Sequence, residues 1–93
     1  MTIKNILEKS RSIWGSRKMP LPDILIAMGK VFGDMCRWAR NAPKDIATHT
    51  DQELKKELGN VIASTVRWCD DLGYDPEECV AIALKSQEDF KKS

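Results

Sequence analysis

The sequence predicts an all-α fold, a small bundle of four helices. Apolar residues recur at spacings of three and four along nearly the whole chain, the period of a helix with one buried face. Gly15, Pro20, Pro43 and Gly73 punctuate the chain between the periodic segments. No stretch shows a convincing strand pattern. Ninety-three residues allow one hydrophobic core, so residues 1–93 are read as a single domain.

The elements follow in order. Residues 3–14 place Ile3, Ile6, Leu7, Ile13 and Trp14 on a helical period, and Gly15, Ser16, Pro20 and Pro22 mark a linker. A second helix is predicted over 21–40, and Pro43 stops it from continuing. Thr50 followed by Glu53 is a capping-box pair opening a third helix. Its expected apolar face carries Leu54, Leu58, Val61, Ile62, Thr65, Val66, Cys69 and Leu72, and Gly73 stands where a helix-ending glycine belongs. Asp75 then reads as an N-cap with Pro76 at the first helical position, and the last helix uses Val80, Ala83, Leu84 and Gln87.

Helix 21–40 carries two seams. One is Ile24, Met28, Val31, Met35 and Trp38; the other is Leu21, Leu25, Phe32, Cys36 and Ala39. A helix apolar over that arc needs cover on two sides. In so short a chain a second copy related by a two-fold axis supplies it most simply, so a homodimer or a dimer of dimers is expected.

Composition narrows the partners. Charged residues make up 31% of the chain, yet the formal net charge is +1, so no electrostatic argument favours nucleic acid or an anionic membrane. No apolar run approaches the ~20 residues of a membrane span, and the start lacks the apolar core of a secretory signal. A cytoplasmic protein is expected. The three cysteines, Cys36, Cys69 and Cys79, form no C-x-x-C pair and read as reduced packing residues. His49 stands alone. The pairs Arg37-Trp38 and Arg67-Trp68 read as packed tryptophans with arginines reaching solvent.

The segment "ELGNVIASTVRWCDDLGYDPEECVAIALKSQEDFKK" and the helix "MGKVFGDMCRWAR" resemble the all-α nucleoside triphosphate pyrophosphohydrolases, the MazG-like family, in its dCTPase-like branch. The resemblance covers about residues 21–92. It implies a four-helix, dimer-forming fold and Mg²⁺-dependent hydrolysis of a nucleotide to its monophosphate and pyrophosphate. The family places E-x-x-E on one helix and E-x-x-D on the next. Such carboxylates suit Mg²⁺, a hard ion that bridges protein oxygens to substrate phosphates and polarises the phosphoryl group.

Mapped onto this chain, the motif is depleted. Glu57 matches the first acid of E-x-x-D, and Asn60 replaces the second, keeping a carbonyl oxygen but no charge. If Trp38 is aligned with the family's tryptophan, the other two acids fall on Met28 and Val31. A register one turn later places Asp34 at the second acid and leaves Val31 at the first. Asp34 and Glu57 each lie about 9 Å from the loop between their helices, level across a hairpin. The resemblance also implies nucleotide contacts for Lys85, for Asp89 in place of an asparagine, and for Trp14 as a base-stacking aromatic. Read from its own helix, Trp14 is instead a core or interface residue.

Three functional readings result. The first is a divergent homologue with weakened or lost catalysis that retains nucleotide or partner binding. The second is an active Mg²⁺-dependent pyrophosphatase using Asp34 and Glu57. The third is a helical protein–protein interaction module.

Overall fold

A computed structural model of the chain describes residues 1–40 and 49–93; the expected stop at Pro43 lies outside the described residues. Four helices and no strand occur among them: α1 (Ile3–Trp14), α2 (Leu21–Arg40), α3 (Asp51–Asp71) and α4 (Pro76–Lys92). Their ends are set by local chemistry. Thr2 and Asn5 satisfy each other's backbone N–H groups at 3.0 and 3.1 Å, a reciprocal cap for α1. The N–H groups of Asp23 and Ile24 donate to the Pro20 carbonyl as α2 begins. At α3 the Thr50 hydroxyl accepts from the Glu53 N–H at 3.1 Å.

The turn from α3 to α4 passes through Gly73 at φ 82°, a left-handed conformation that glycine adopts without strain. Asp75 then caps α4 by accepting from the Glu77 N–H at 3.0 Å. Acidic Glu77 and Glu78 at the start of α4 and Lys91 and Lys92 at its end complement the helix dipole.

Helix α3 is the hub, since α1, α2 and α4 each pack against it. Among the described residues the buried apolar ones are Ile24 of α2, Val66 and Trp68 of α3, and Pro76 at the start of α4. Val66 and Trp68 lie about 200° apart around the helix axis, so α3 is buried on two opposite sides. The sequence expects a packed Trp68, which is found, and a broad apolar stripe from Leu54 to Leu72, only part of which is covered. Trp68 lies outside that stripe and is buried, whereas Leu58 and Ile62 lie within it and are exposed.

Helix α2 buries only its first seam. Ile24 is enclosed, and Met28, Val31, Met35 and Trp38 are half-buried. The second seam faces solvent, with Leu25 55% and Phe32 52% exposed. The chain is correspondingly open. Its radius of gyration is 15.4 Å, against about 12 Å for a compact chain of this length. Its accessible surface of 7261 Å² exceeds the ~5,500 Å² of a compact monomer of this mass by about 1,800 Å². No described helix is long and apolar enough to cross a membrane.

Candidate functional site

The most polar cleft lies where the last turns of α2 face the first turns of α3. It encloses about 270 Å³ and is lined by Asp34, Arg37, Trp38, His49, Glu53, Lys56 and Glu57. Two side-chain contacts fix its end. The Trp38 and His49 rings stack with centroids 3.8 Å apart and planes 21° from parallel. The Trp38 indole N–H also donates to the Thr50 carbonyl at 3.2 Å. Trp38 thus ties the end of α2 to the cap of α3 and holds the cleft walls in register.

Helical spacing on α3 puts Glu53, Lys56 and Glu57 within one turn of each other. Lys56 Nζ lies 2.8 Å from Glu53 Oε2 and 3.7 Å from Glu57 Oε1. The Lys56 ammonium is held more firmly protonated by its hydrogen bond to Glu53 first, and by Glu57 in smaller part. Across from them stand Asp34 and Arg37 of α2. The cleft therefore mixes three carboxylates with two permanent cations, and it can receive either a cation or the oxygens of an anion.

The sequence-derived residues separate into three places. Asp34 and Glu57 both line this cleft. Asn60, one turn on from Glu57, is exposed and does not line it. Met28 and Val31, the positions given by the Trp38 alignment, are half-buried along α2 and do not line it either. Lys85 and Asp89 are exposed on α4 and pair with each other at 3.0 Å, away from the cleft. Trp14 lies beside the opposite end of α3 and is 68% exposed, so a core position is excluded within the chain.

Sequence reasoning missed Arg37, Glu53, Lys56 and His49 as members of one site. His49 and Trp38 meet only through the folding of the hairpin, and the two arginine–tryptophan pairs suggested different partners. Arg67 in fact lies over Trp14, 4.8 Å from its ring centre, rather than over its neighbour Trp68. The cysteines supply no nucleophile to the cleft. The Cys69 thiol is pushed up to about 11, by burial first and then by the nearby Cys79 thiol, and so stays protonated.

The donor set limits how Mg²⁺ fits. Among the described residues no group of three or more histidine, cysteine or acidic side chains is gathered closely enough to hold a metal ion. Mg²⁺ needs less when it arrives on a substrate. It commonly keeps several waters and binds one or two carboxylates together with phosphate oxygens. Asp34 and Glu57 are the carboxylates that face this cleft from α2 and α3 beside Glu53.

No family model, curated protein or solved structure matches the chain.

Proposed function

We propose that the chain is a divergent MazG-like nucleotide pyrophosphohydrolase homologue that binds a Mg²⁺–nucleotide complex and has weakened or lost catalysis. The observation carrying this reading is Lys56 between Glu53 and Glu57, at 2.8 and 3.7 Å. An ammonium already held by both carboxylates lowers the negative charge available to a cation. Asn60 adds no charge to offset it. The same Lys56, with Arg37, suits the phosphate oxygens of a nucleotide, so phosphate contacts add to a weakened cation site.

In this reading Asp34 and Glu57 would hold the ion that a nucleotide brings, and Arg37 and Lys56 would contact the phosphate oxygens. Bound Mg²⁺ supplies polarisation of the phosphoryl group. The Trp38–His49 stack keeps the two helix ends at a fixed separation for this purpose.

A second reading, an active pyrophosphatase, is favoured by one observation: Asp34 and Glu57 line the same cleft. Pyrophosphate release from a panel of NTPs and dNTPs with Mg²⁺ or Mn²⁺ separates the two. The first reading predicts release no higher than that of Glu57→Ala. Turnover that disappears in Glu57→Ala would establish the second reading instead.

The homodimer belongs to the same proposal. The excess surface of about 1,800 Å² is more than twice the ~800 Å² that each partner buries in a standard interface. The exposed seam of α2, with Leu21, Leu25 and Phe32, supplies a continuous apolar ridge for it. Apolar grooves on either side of exposed Ile62, one along α1 and α3 and one along α3 and α4, extend the same need for cover. A dimer of dimers is compatible with this much uncovered surface.

A further inference from the structure

The groove between α3 and α4 holds two reactive side chains that the nucleotide reading does not use. Cys69, near the end of α3, and Cys79, in the first turn of α4, both line it, with Val66, Pro76 and Val80 around them. Both cysteines are half-buried, and neither is in a disulfide. Cys69 lies twelve residues beyond Glu57 on α3, a rise of about 18 Å, so the pair is separate from the polar cleft.

The α3–α4 turn brings the two together. The Tyr74 N–H donates to the Cys69 carbonyl at 3.0 Å, and the Cys79 N–H donates to the Asp75 carbonyl at 3.1 Å. Between these two bonds the chain reverses through Gly73. Buried Pro76 seats the first turn of α4 in the same groove wall. The two thiols end within hydrogen-bonding reach of each other. A free cysteine usually packs as a small hydrophobe, and an alanine or valine at either position would pack as well. Packing alone does not call for two sulfurs meeting at one turn.

We propose that Cys69 and Cys79 are a modification site, a dithiol that oxidises reversibly to a disulfide and clasps the first turn of α4 to α3. The oxidant is a hydroperoxide, small and uncharged, which suits a groove of about 360 Å³ with an apolar lining. Cys79 meets it first, because the thiolate is the nucleophile and the Cys69 thiol, pushed up to about 11, stays protonated. The Cys79 sulfur breaks the O–O bond of hydrogen peroxide and becomes a sulfenic acid, and the hydroxide released takes up the Cys79 proton as water. The Cys69 sulfur then attacks the sulfenic sulfur. The S–S bond forms, the S–OH bond breaks, and that hydroxide leaves with the Cys69 proton as a second water. Two thiols are oxidised by two electrons and one peroxide is reduced. A thiol reductant reverses the step by exchange. The bond adds a covalent tie to a helix whose one buried residue is Pro76.

The full chain is treated with hydrogen peroxide, digested without reduction and read by mass spectrometry. Its thermal midpoint is measured before oxidation, after it, and after dithiothreitol. The peptide carrying Cys69 is expected joined to the peptide carrying Cys79. The midpoint should rise by about 5 °C or more, since the bond closes a short loop in the unfolded chain, and dithiothreitol should undo both changes. In Cys69→Ala the sulfenic acid on Cys79 has no partner and should be trapped by dimedone, whereas Cys79→Ala should leave Cys69 unlabelled. Cys36→Ala should change none of these results. Absence of the Cys69–Cys79 link in the wild-type chain would overturn the proposal, as would a link made only to Cys36. A link that leaves the midpoint unchanged or lowers it would also overturn it, because the native turn would then not hold the two sulfurs at bonding geometry. The wild-type results decide the matter even if a variant fails to fold.

Discussion

Arg11→Met is expected to destabilise the folded chain by about 3–5 kcal/mol, the usual cost of removing one partner from a buried ion pair. Arg11 reaches from α1 to the end of α3, donating to Asp70 Oδ2 at 2.6 Å and to Asp71 Oδ1 at 2.5 Å. Its side chain is 20% exposed and that of Asp71 only 1%, so the variant leaves a carboxylate enclosed without a counter-charge. A domain of this length has roughly 5–14 kcal/mol in all, so the loss is a large share of it. Replacing both partners, Arg11→Met with Asp71→Leu, removes the uncompensated charge and should recover most of that loss. Urea denaturation of the single and double variants checks both statements. A cost below 1 kcal/mol for Arg11→Met would contradict the assignment of this pair as the tie between α1 and α3.

The same network sets an acid limit. Arg11, by its hydrogen bond, and Lys18, by its charge, hold the Asp70 carboxyl below the usual carboxylate range, against a partial opposing effect of burial. A carboxyl depressed in the folded state stabilises the protein above its unfolded value, near pH 4, and loses that contribution as pH falls through the folded value. Wild-type stability should therefore fall on acidification across that window, and the fall should be shallower in Arg11→Met.

Leu25→Asp combined with Phe32→Asp is expected to convert a dimer into a monomer that keeps its helical content. Both residues are more than half exposed in the single chain, so aspartates there remain hydrated in the monomer. Inside an apolar interface the same carboxylates would be desolvated without partners, weakening association roughly a thousandfold or more. Light scattering on the eluting protein, with circular dichroism, reads both properties. A wild-type monomer, or a double variant that still elutes at twice the chain mass, would contradict the proposal that a second copy covers this seam.

Much of the fold was legible because its boundary signals are local. Thr50, Asp75 with Pro76, and Gly73 act within a few residues of themselves, and the helices begin and end where those signals fall. The two seams of α2 were legible for the same reason, since a helical period records which residues share a side. What a period does not record is which side meets a neighbour. Trp68 lies off the main stripe of α3 and is buried because α3 is packed on opposite sides.

The polar sites depend on contacts between distant positions. Arg11 and Asp71 are separated by 60 positions, and the Trp38–His49 stack needs the hairpin to close. One signal in the sequence did point to the Arg11 network. Asp70 and Asp71 sit together in the last turn of α3, the end where the helix dipole disfavours negative charge. Two adjacent acids there require cations from elsewhere, and α1 and its linker provide Arg11 and Lys18. Asp34 and Glu57 were legible because antiparallel helices of known rise place residues level across their loop. The pairing of Lys56 with Glu53 and Glu57 follows from helical spacing, but only the folded hairpin makes that surface a cleft wall.

The most direct measurement is the thermal midpoint of the wild-type chain and of Asp34→Asn/Glu57→Gln with a non-hydrolysable nucleoside triphosphate analogue. Each protein is measured with Mg²⁺ and again with EDTA. A ligand that binds only the native state raises its midpoint, by an amount that grows with ligand concentration over Kd. The proposed function predicts a rise for wild type in Mg²⁺, a smaller rise in EDTA, and little Mg²⁺ dependence in the double variant. No rise in wild type, or the same Mg²⁺-dependent rise in the double variant, would contradict a nucleotide site built on Asp34 and Glu57.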